Sequence, residues 1–176
     1  MSSGKAGLSE RIAEVARLRD AGNLEASRAL ALVLLAEHPD DPTLNCQAAW
    51  THDTMGLETE AVPFYERAIA VGLDSEDLRG SLLGLGSTYR VIGRNADAAR
   101  TLAQGAMLFP DDSAMRTFYA LALHSVGEHT RATQEFLHVI LNTSQDPQIE
   151  RYRRSLSEYR EHPDELWLDG AWHARP

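Results

Sequence analysis

Three glycines ahead of a serine and a threonine are the first feature of this sequence that could bind a ligand. Gly80, Gly84 and Gly86 lead directly into Ser87 and Thr88. A phosphate-binding loop uses glycines so that backbone N–H groups can wrap the anion, and it places a lysine just before the hydroxyl residue. Here Gly86 is followed at once by Ser87, and no β-rich run precedes the glycines. The sequence therefore predicts that this segment is not a nucleotide site.

The cysteine and the histidines are the side chains best suited to catalysis or metal binding. Cys46 and His52 are six residues apart. That spacing turns them by about 240° around a helix, so they do not face each other as a nucleophile and a base would. His124, His129 and His138 lack the one-face spacing of a helical metal pair. We therefore expect no catalytic residue, no metal ligand and no cofactor, and we expect that the protein is not an enzyme.

The composition is that of an ordinary globular chain with a negative charge. Its 176 residues are 43% hydrophobic and 24% charged, with a formal net charge of −9. This charge tells against nucleic acid, which is bound by clustered lysines and arginines. The single cysteine excludes an intrachain disulfide. Because no signal-peptide core and no run of ~18 apolar residues is found, we expect a cytoplasmic protein whose partner is neither nucleic acid nor membrane.

The chain repeats itself with a period close to 34 residues. Ala, Leu, Glu and Arg recur at helical spacings, which predicts a nearly all-α protein. Four glycines each close a helical run, at spacings of 34, 37 and 34 residues: Gly22, Gly56, Gly93 and Gly127. Small or short residues recur five positions after and seven positions before these glycines: Ser27, Ala61, Ala98, Ala132, Val15, Ala49, Gly86 and Ala120. Two helices can approach closely at such positions.

The third unit carries the most specific motif. It contains, in order, Leu82-x2-Leu85-Gly86-x2-Tyr89, Ala98-x3-Leu102 and Pro110. This pattern resembles the tetratricopeptide repeat, whose signature is W-x2-L-G-x2-Y, A-x3-F and P at a 34-residue period. The chain is also similar to a bacterial subgroup of small tetratricopeptide proteins with no assigned reaction, through "AW-HD--G-E--AVP-YE-A---GL" and "LRG-LLGLGSTYR--G".

The resemblance implies a right-handed α-solenoid of about four helix pairs. The repeats would cover residues 8–144, at about 8–41, 42–75, 79–112 and 113–144, after a flexible N-terminus of residues 1–7. In "EHPDDP" and "FPDDS" a proline ends one helix and an aspartate caps the next. A capping helix would cover residues 145–162, and residues 163–176 would form a C-terminal tail. Because Gly86 has no side chain, the two helices of the third pair could pack closely there.

In this family the first helix of each pair lines a concave groove that receives a peptide or a partner helix. Counting back three, six and ten residues from each turn glycine gives Ile12, Ala16 and the ten candidate groove residues. The ten candidates are Arg19, Cys46, Trp50, Asp53, Leu83, Ser87, Arg90, Thr117, Leu121 and His124.

Two features of this groove are predicted in more detail. Arg19, Asp53, Arg90 and His124 should form a row with Asp53 between two arginines, serving either as an ion-pair ladder or in reading a ligand. Trp50 should form one wall of a hollow that Gly80 and Gly84 open. The alternative is that Trp50 packs wholly between repeats.

The sequence thus predicts an interaction module or adaptor that binds a protein or peptide. The carboxylate clamp of chaperone-binding relatives is not expected, because some of its lysines and asparagines are replaced by Cys46, Trp50, Leu83 and Ser87. One alternative is self-association into a homodimer through the apolar tail residues Leu166, Trp167, Leu168 and Trp172. The other is an enzyme with a groove site, for which the available side chains are His52, Asp53, Arg90 and His124.

Overall fold

Helices make up all of the regular secondary structure in the described part of the chain. The computed structural model describes the backbone of residues 2–165 and the side chains of residues 7–165. Within that range the helices are α1 (Ser2–Asp20), α2 (Leu24–Glu37), α3 (Pro42–Thr54), α4 (Glu58–Val71), α5 (Ser75–Val91), α6 (Asn95–Leu108), α7 (Ser113–Ser125), α8 (His129–Thr143), α9 (Pro147–Arg151) and α10 (Arg153–Glu161). The predicted all-α solenoid of paired helices is confirmed.

The four repeated glycines form the turns inside the helix pairs. Each has a positive φ between 73° and 84°, a conformation that costs glycine little: Gly22, Gly56, Gly93 and Gly127. In the first turn the N–H of Asn23 donates to the carbonyl of Leu18 over 2.8 Å, and the equivalent bond closes the other three turns. This is the Schellman ending of a helix. The glycine spacing therefore encodes the helix pairs directly.

Aspartates begin the first helices of the later repeats. The side chain of Asp41 accepts a hydrogen bond from the N–H of Leu44, and that of Asp112 accepts one from the N–H of Met115, both over 2.9 Å. Pro42 occupies the first turn of α3, where its missing N–H costs nothing. These caps lie where the proline–aspartate motifs predict them.

The packing joins neighbouring helices in chain order. Each helix from α1 to α7 packs against the next, and the first helices also contact one another, α1 with α3, α3 with α5 and α5 with α7. A Cβ atom on Gly86 would lie only 2.3 Å from Cγ of the fully buried Leu102. The missing side chain therefore lets α5 and α6 cross closely, as the repeat register predicts.

The two ends of the solenoid differ in detail from the predicted layout. Helix α1 begins at Ser2, inside the range 1–7 whose flexibility stays a prediction. The capping segment is two helices, since the chain bends at Tyr152 between α9 and α10. Helix α10 packs on α8, and Arg153 donates to the carbonyl of Leu141 over 2.5 Å. The tail residues proposed for self-association, Leu166, Trp167, Leu168 and Trp172, lie outside the described residues.

Candidate functional site

A cavity of about 500 Å³ opens between the first three repeats. Its walls come from α1, α3 and α5, with additional side chains from α4. The lining residues are Arg19, Trp50, Asp53, Thr54, Glu58, Tyr65, Ser87, Thr88 and Val91. Four predicted groove residues from three successive repeats therefore meet at one place: Arg19, Trp50, Asp53 and Ser87.

Trp50 forms an aromatic wall of this cavity, although the two glycines do not open it. A Cβ on Gly80 would lie 2.8 Å from Cζ2 of Trp50, and one on Gly84 would lie 2.4 Å from the hydroxyl oxygen of Tyr65. The space that the glycines leave is thus filled by these two aromatic side chains. The predicted origin of the hollow is wrong, because the missing side chains make room for the wall itself.

Asp53 lines the cavity and is held by two hydroxyl groups. Tyr65 and Thr88 each donate a hydrogen bond to its carboxylate, over 3.0 Å in both cases. Burial raises the pKa of the Asp53 carboxyl, the two hydroxyl groups partly offset this shift, and the nearby negative charge of Glu58 raises the pKa further. The same surroundings raise the pKa of Tyr65, through burial first and then through the charge of Asp53.

The predicted row with Asp53 between two arginines does not form an ion-pair ladder. Arg19 donates over 2.7 Å to the side-chain oxygen of Gln47 and pairs over 3.1 Å with Asp20, while its guanidinium carbon lies 5.3 Å from the centre of the Trp50 ring. Arg90 donates over 3.0 Å to the hydroxyl of Ser125 on α7. Each arginine has a nearer acceptor, so the ion-pair ladder, one of the two roles considered for this row, is wrong.

The remaining groove candidates on α5 and α7 lie outside this cavity. Leu83, Thr117 and Leu121 are partly exposed, and Thr117 donates over 2.7 Å to the backbone carbonyl of Ser113. His124 is exposed, and its Nδ1 lies 3.2 Å from Nδ1 of His129. The structure therefore does not join these residues to the group around Trp50.

Cys46 is not a groove residue. Its side chain is fully buried and lies 3.2 Å from the hydroxyl of Ser81 on α5, while burial raises the pKa of its thiol to about 12. The prediction is wrong because this position of α3 faces the next repeat. His52 is also buried, donating from Nδ1 to the carbonyl of Ala48 and accepting from Arg28.

Sequence reasoning missed the cavity residues on the second helix of repeat two. Tyr65 occupies the position of the phenylalanine in the A-x3-F part of the signature, which normally reports packing between helices. Glu58 opens α4, where an acidic side chain suits any helix N-terminus. Gly84 could have pointed to Tyr65, because a glycine inside a helix indicates that a neighbouring group comes close.

The described residues contain neither a membrane-spanning helix nor a metal-binding group. No helix in residues 2–165 is long and apolar enough to cross a membrane. In the same part of the chain, no three His, Cys, Asp or Glu residues are grouped so that they could hold a metal ion.

Known proteins resemble this chain at the level of family and fold. No curated protein matches it significantly. Among solved structures, YrrB, described as a TPR protein with an unusual peptide-binding site, superposes with a TM-score of 0.69 and 20% identity over 88% of this chain and 78% of its own. The MamA protein superposes with a TM-score of 0.63 and 16% identity over 92% of this chain and 97% of its own.

The model of the family described as tetratrico peptide repeat matches residues 42–162. Such proteins are typically non-enzymatic modules that bind protein or peptide partners. From its repeated turn glycines, its paired helices and this match over more than half of its length, the chain belongs to the tetratricopeptide repeat family.

Proposed function

We propose that this protein is an interaction module that binds a peptide or a partner segment at the cavity formed by Arg19, Trp50, Asp53 and their neighbours, here called the Trp50 pocket. The observation that carries the proposal is the meeting of four candidate groove residues from three repeats around one cavity. Its volume lies within the ~300–1,000 Å³ common for ligand sites. One or two side chains of a partner would fit there.

Trp50 has the surroundings of a binding hot spot. Its ring is partly exposed, its edge rests on the backbone at Gly80, and the guanidinium of Arg19 lies over it. An aromatic side chain held from two sides loses little freedom when a partner covers it, and hot spots are enriched in tryptophan. YrrB, with the same fold, is described as having a peptide-binding site, which supports the proposal by analogy.

The direct test is capture of partners from the native host with three full-length proteins at equal folded concentration. These are the wild type, Trp50→Ala, and Met107→Ala as a control that removes an apolar side chain, 74% exposed, from α6. Trp50→Ala should lose partners that the other two proteins retain. Retention of every partner by Trp50→Ala would remove the Trp50 pocket from the binding mechanism.

Two finer features belong to the same proposal. We place the protein in the cytoplasm, which a single buried cysteine fits because reducing compartments keep thiols free. Fractionation of the native host tests this location. We treat the protein as a monomer when it binds, and light scattering after size-exclusion chromatography tests this against the homodimer.

A further inference from the structure

We infer that the Trp50 pocket selects a positively charged side chain, arginine or lysine, in the segment it binds, with the charged end at Asp53 and Glu58 and the aliphatic stem against Trp50 and Val91. This inference rests on the proposed function and adds the chemical class of the ligand. It also reverses the ligand charge that the arginines of the groove suggest at first sight.

The charges of the cavity are not balanced. Arg19, Asp53 and Glu58 are its charged lining residues. The guanidinium of Arg19 already contacts Asp20 and Gln47, and only 15% of its side chain is exposed. Asp53 and Glu58 form no ion pair with any arginine or histidine whose side chain is described. The cavity therefore presents two carboxylates to a ligand, while Arg19, the cation among its described lining residues, is occupied.

Asp53 is oriented and still has room for a cation. The hydroxyl of Thr88 donates to Oδ1, and that of Tyr65 donates to Oδ2. These bonds fix the plane of the carboxylate but use only one acceptor position on each oxygen, of about four that a carboxylate offers in total. An incoming guanidinium or ammonium group can therefore hydrogen-bond to Asp53 without displacing either hydroxyl.

Electrostatics favour the same occupant. The charged form of Asp53 is disfavoured by burial and by repulsion from Glu58. A cation placed between the two groups relieves that repulsion and gains two attractive contacts, and partial burial keeps them from being fully screened. The formal net charge of −9 also attracts a basic segment from a distance. A carboxylate ligand would instead be repelled by Asp53, by Glu58 and by the net charge of the protein.

The apolar part of the cavity suits a long basic side chain. Trp50 and Val91, which is 62% exposed, lie in the same lining as the two acids. Lysine and arginine bury their methylene stems against apolar surface and keep the charge at the end. A short polar or a purely aliphatic side chain would use only one half of the lining.

The test selects peptides from a random library on immobilised full-length protein. The wild type is compared with Glu58→Gln and with Glu60→Gln, a control that removes the same charge from the same first turn of α4 outside the cavity. We expect arginine or lysine at one fixed position of the peptides selected by the wild type and by Glu60→Gln. With Glu58→Gln this preference should fall about tenfold, the size expected for a close charge pair.

A selected peptide then allows a double-mutant cycle between its basic residue and Glu58. Its basic residue is replaced by citrulline, the neutral analogue of arginine, or by norleucine for lysine, and each dissociation constant is measured with the wild type and with Glu58→Gln. Coupling between the two replacements supports the inference, whereas independent effects overturn it. Asp53→Asn provides a second variant, used after a melting curve has shown that it folds, and it should also weaken the preference.

Failure of the inference and failure of the proposed function give different results. Peptides that need Trp50 but show no basic preference, or that prefer Asp or Glu, overturn the inference and leave the proposed function standing. Selected peptides that bind Trp50→Ala as tightly as the wild type overturn both.

Discussion

Neighbouring residues of α5 belong to two regions with different tasks, the crossing with α6 and the Trp50 pocket. Gly86 touches the fully buried Leu102 at the crossing, whereas the next residue, Ser87, lines the cavity. At the crossing, atoms fill the available space. In the Trp50 pocket, space remains, and two carboxylates form no ion pair within the described part of the chain.

The polar groups of a second buried seam, between repeats one and two, differ from those of the Trp50 pocket in the same way. In the seam between repeats one and two, the buried hydroxyl of Ser27 donates over 2.8 Å to the carbonyl of Val15 and lies 3.0 Å from the hydroxyl of Thr51. In the Trp50 pocket, Asp53 has two hydroxyl donors and forms no ion pair with any cation whose side chain is described. Substitutions in the seams should therefore change stability, and substitutions in the Trp50 pocket should mainly change binding.

The largest expected effect is on folding, from Gly86→Leu. The added side chain would collide with Leu102, so the two helices must separate, which should cost at least the upper part of the ~1–3 kcal/mol usual for overpacking. Chemical denaturation measures the loss. Ser87→Leu is the matched control, since it adds the same side chain one position away on the cavity side and should change stability much less. An unchanged unfolding curve for Gly86→Leu would mean that the repeat register is wrong.

A smaller effect on folding is expected from Ser27→Ala. This variant removes a buried hydroxyl that contacts both Val15 and Thr51, and loss of one hydrogen bond typically costs about 1 kcal/mol. The unfolding free energy should fall by about that amount, and peptide affinity should not change. The control is Ser9→Ala, at an exposed position of α1. Equal stability of the two variants would contradict the assigned role of the seam.

The turns, caps and helix crossing could be predicted from the sequence because each is a local rule repeated along the chain. Gly22 and its three equivalents must adopt positive φ, and Asp41 and Asp112 cap helices, whatever lies around them. The partners of Asp53 could not be predicted in this way. Tyr65 and Thr88 reach it from α4 and α5 through packing between repeats, and spacing within one helix does not report such contacts.

The pH dependence of stability provides a third way to separate the regions. The pKa of Asp53 is raised on folding, above its ordinary 3.8. Between the unfolded and the folded pKa the native state binds the extra proton, so the contribution of Asp53 to stability falls as the pH rises through this window. In Asp53→Asn this dependence should disappear. The difference in melting temperature between the wild type and Asp53→Asn should therefore shift against the wild type as the pH rises from 4. A difference that does not change with pH would contradict the environment assigned to Asp53.

The smallest expected effect belongs to Arg90→Ala. The sequence places Arg90 among the candidate groove residues, but its guanidinium donates to Ser125 and does not line the Trp50 pocket. We expect a change in peptide affinity below ~1 kcal/mol, as for exposed charges in general. Calorimetry at low and high salt measures it. A change as large as that caused by Trp50→Ala would mean that the peptide also contacts the place where Arg90 meets α7.

The dissociation constant of a selected peptide, measured with the wild type, Trp50→Ala and Met107→Ala, decides whether the Trp50 pocket is the binding site. Loss of a buried aromatic anchor typically costs ~2 kcal/mol or more, so Trp50→Ala should raise the constant by about 30-fold, while its stability falls less than that of Gly86→Leu. Met107→Ala should leave the constant unchanged. An unchanged constant for Trp50→Ala, measured at equal folded concentration, would mean that the peptide binds elsewhere on the chain.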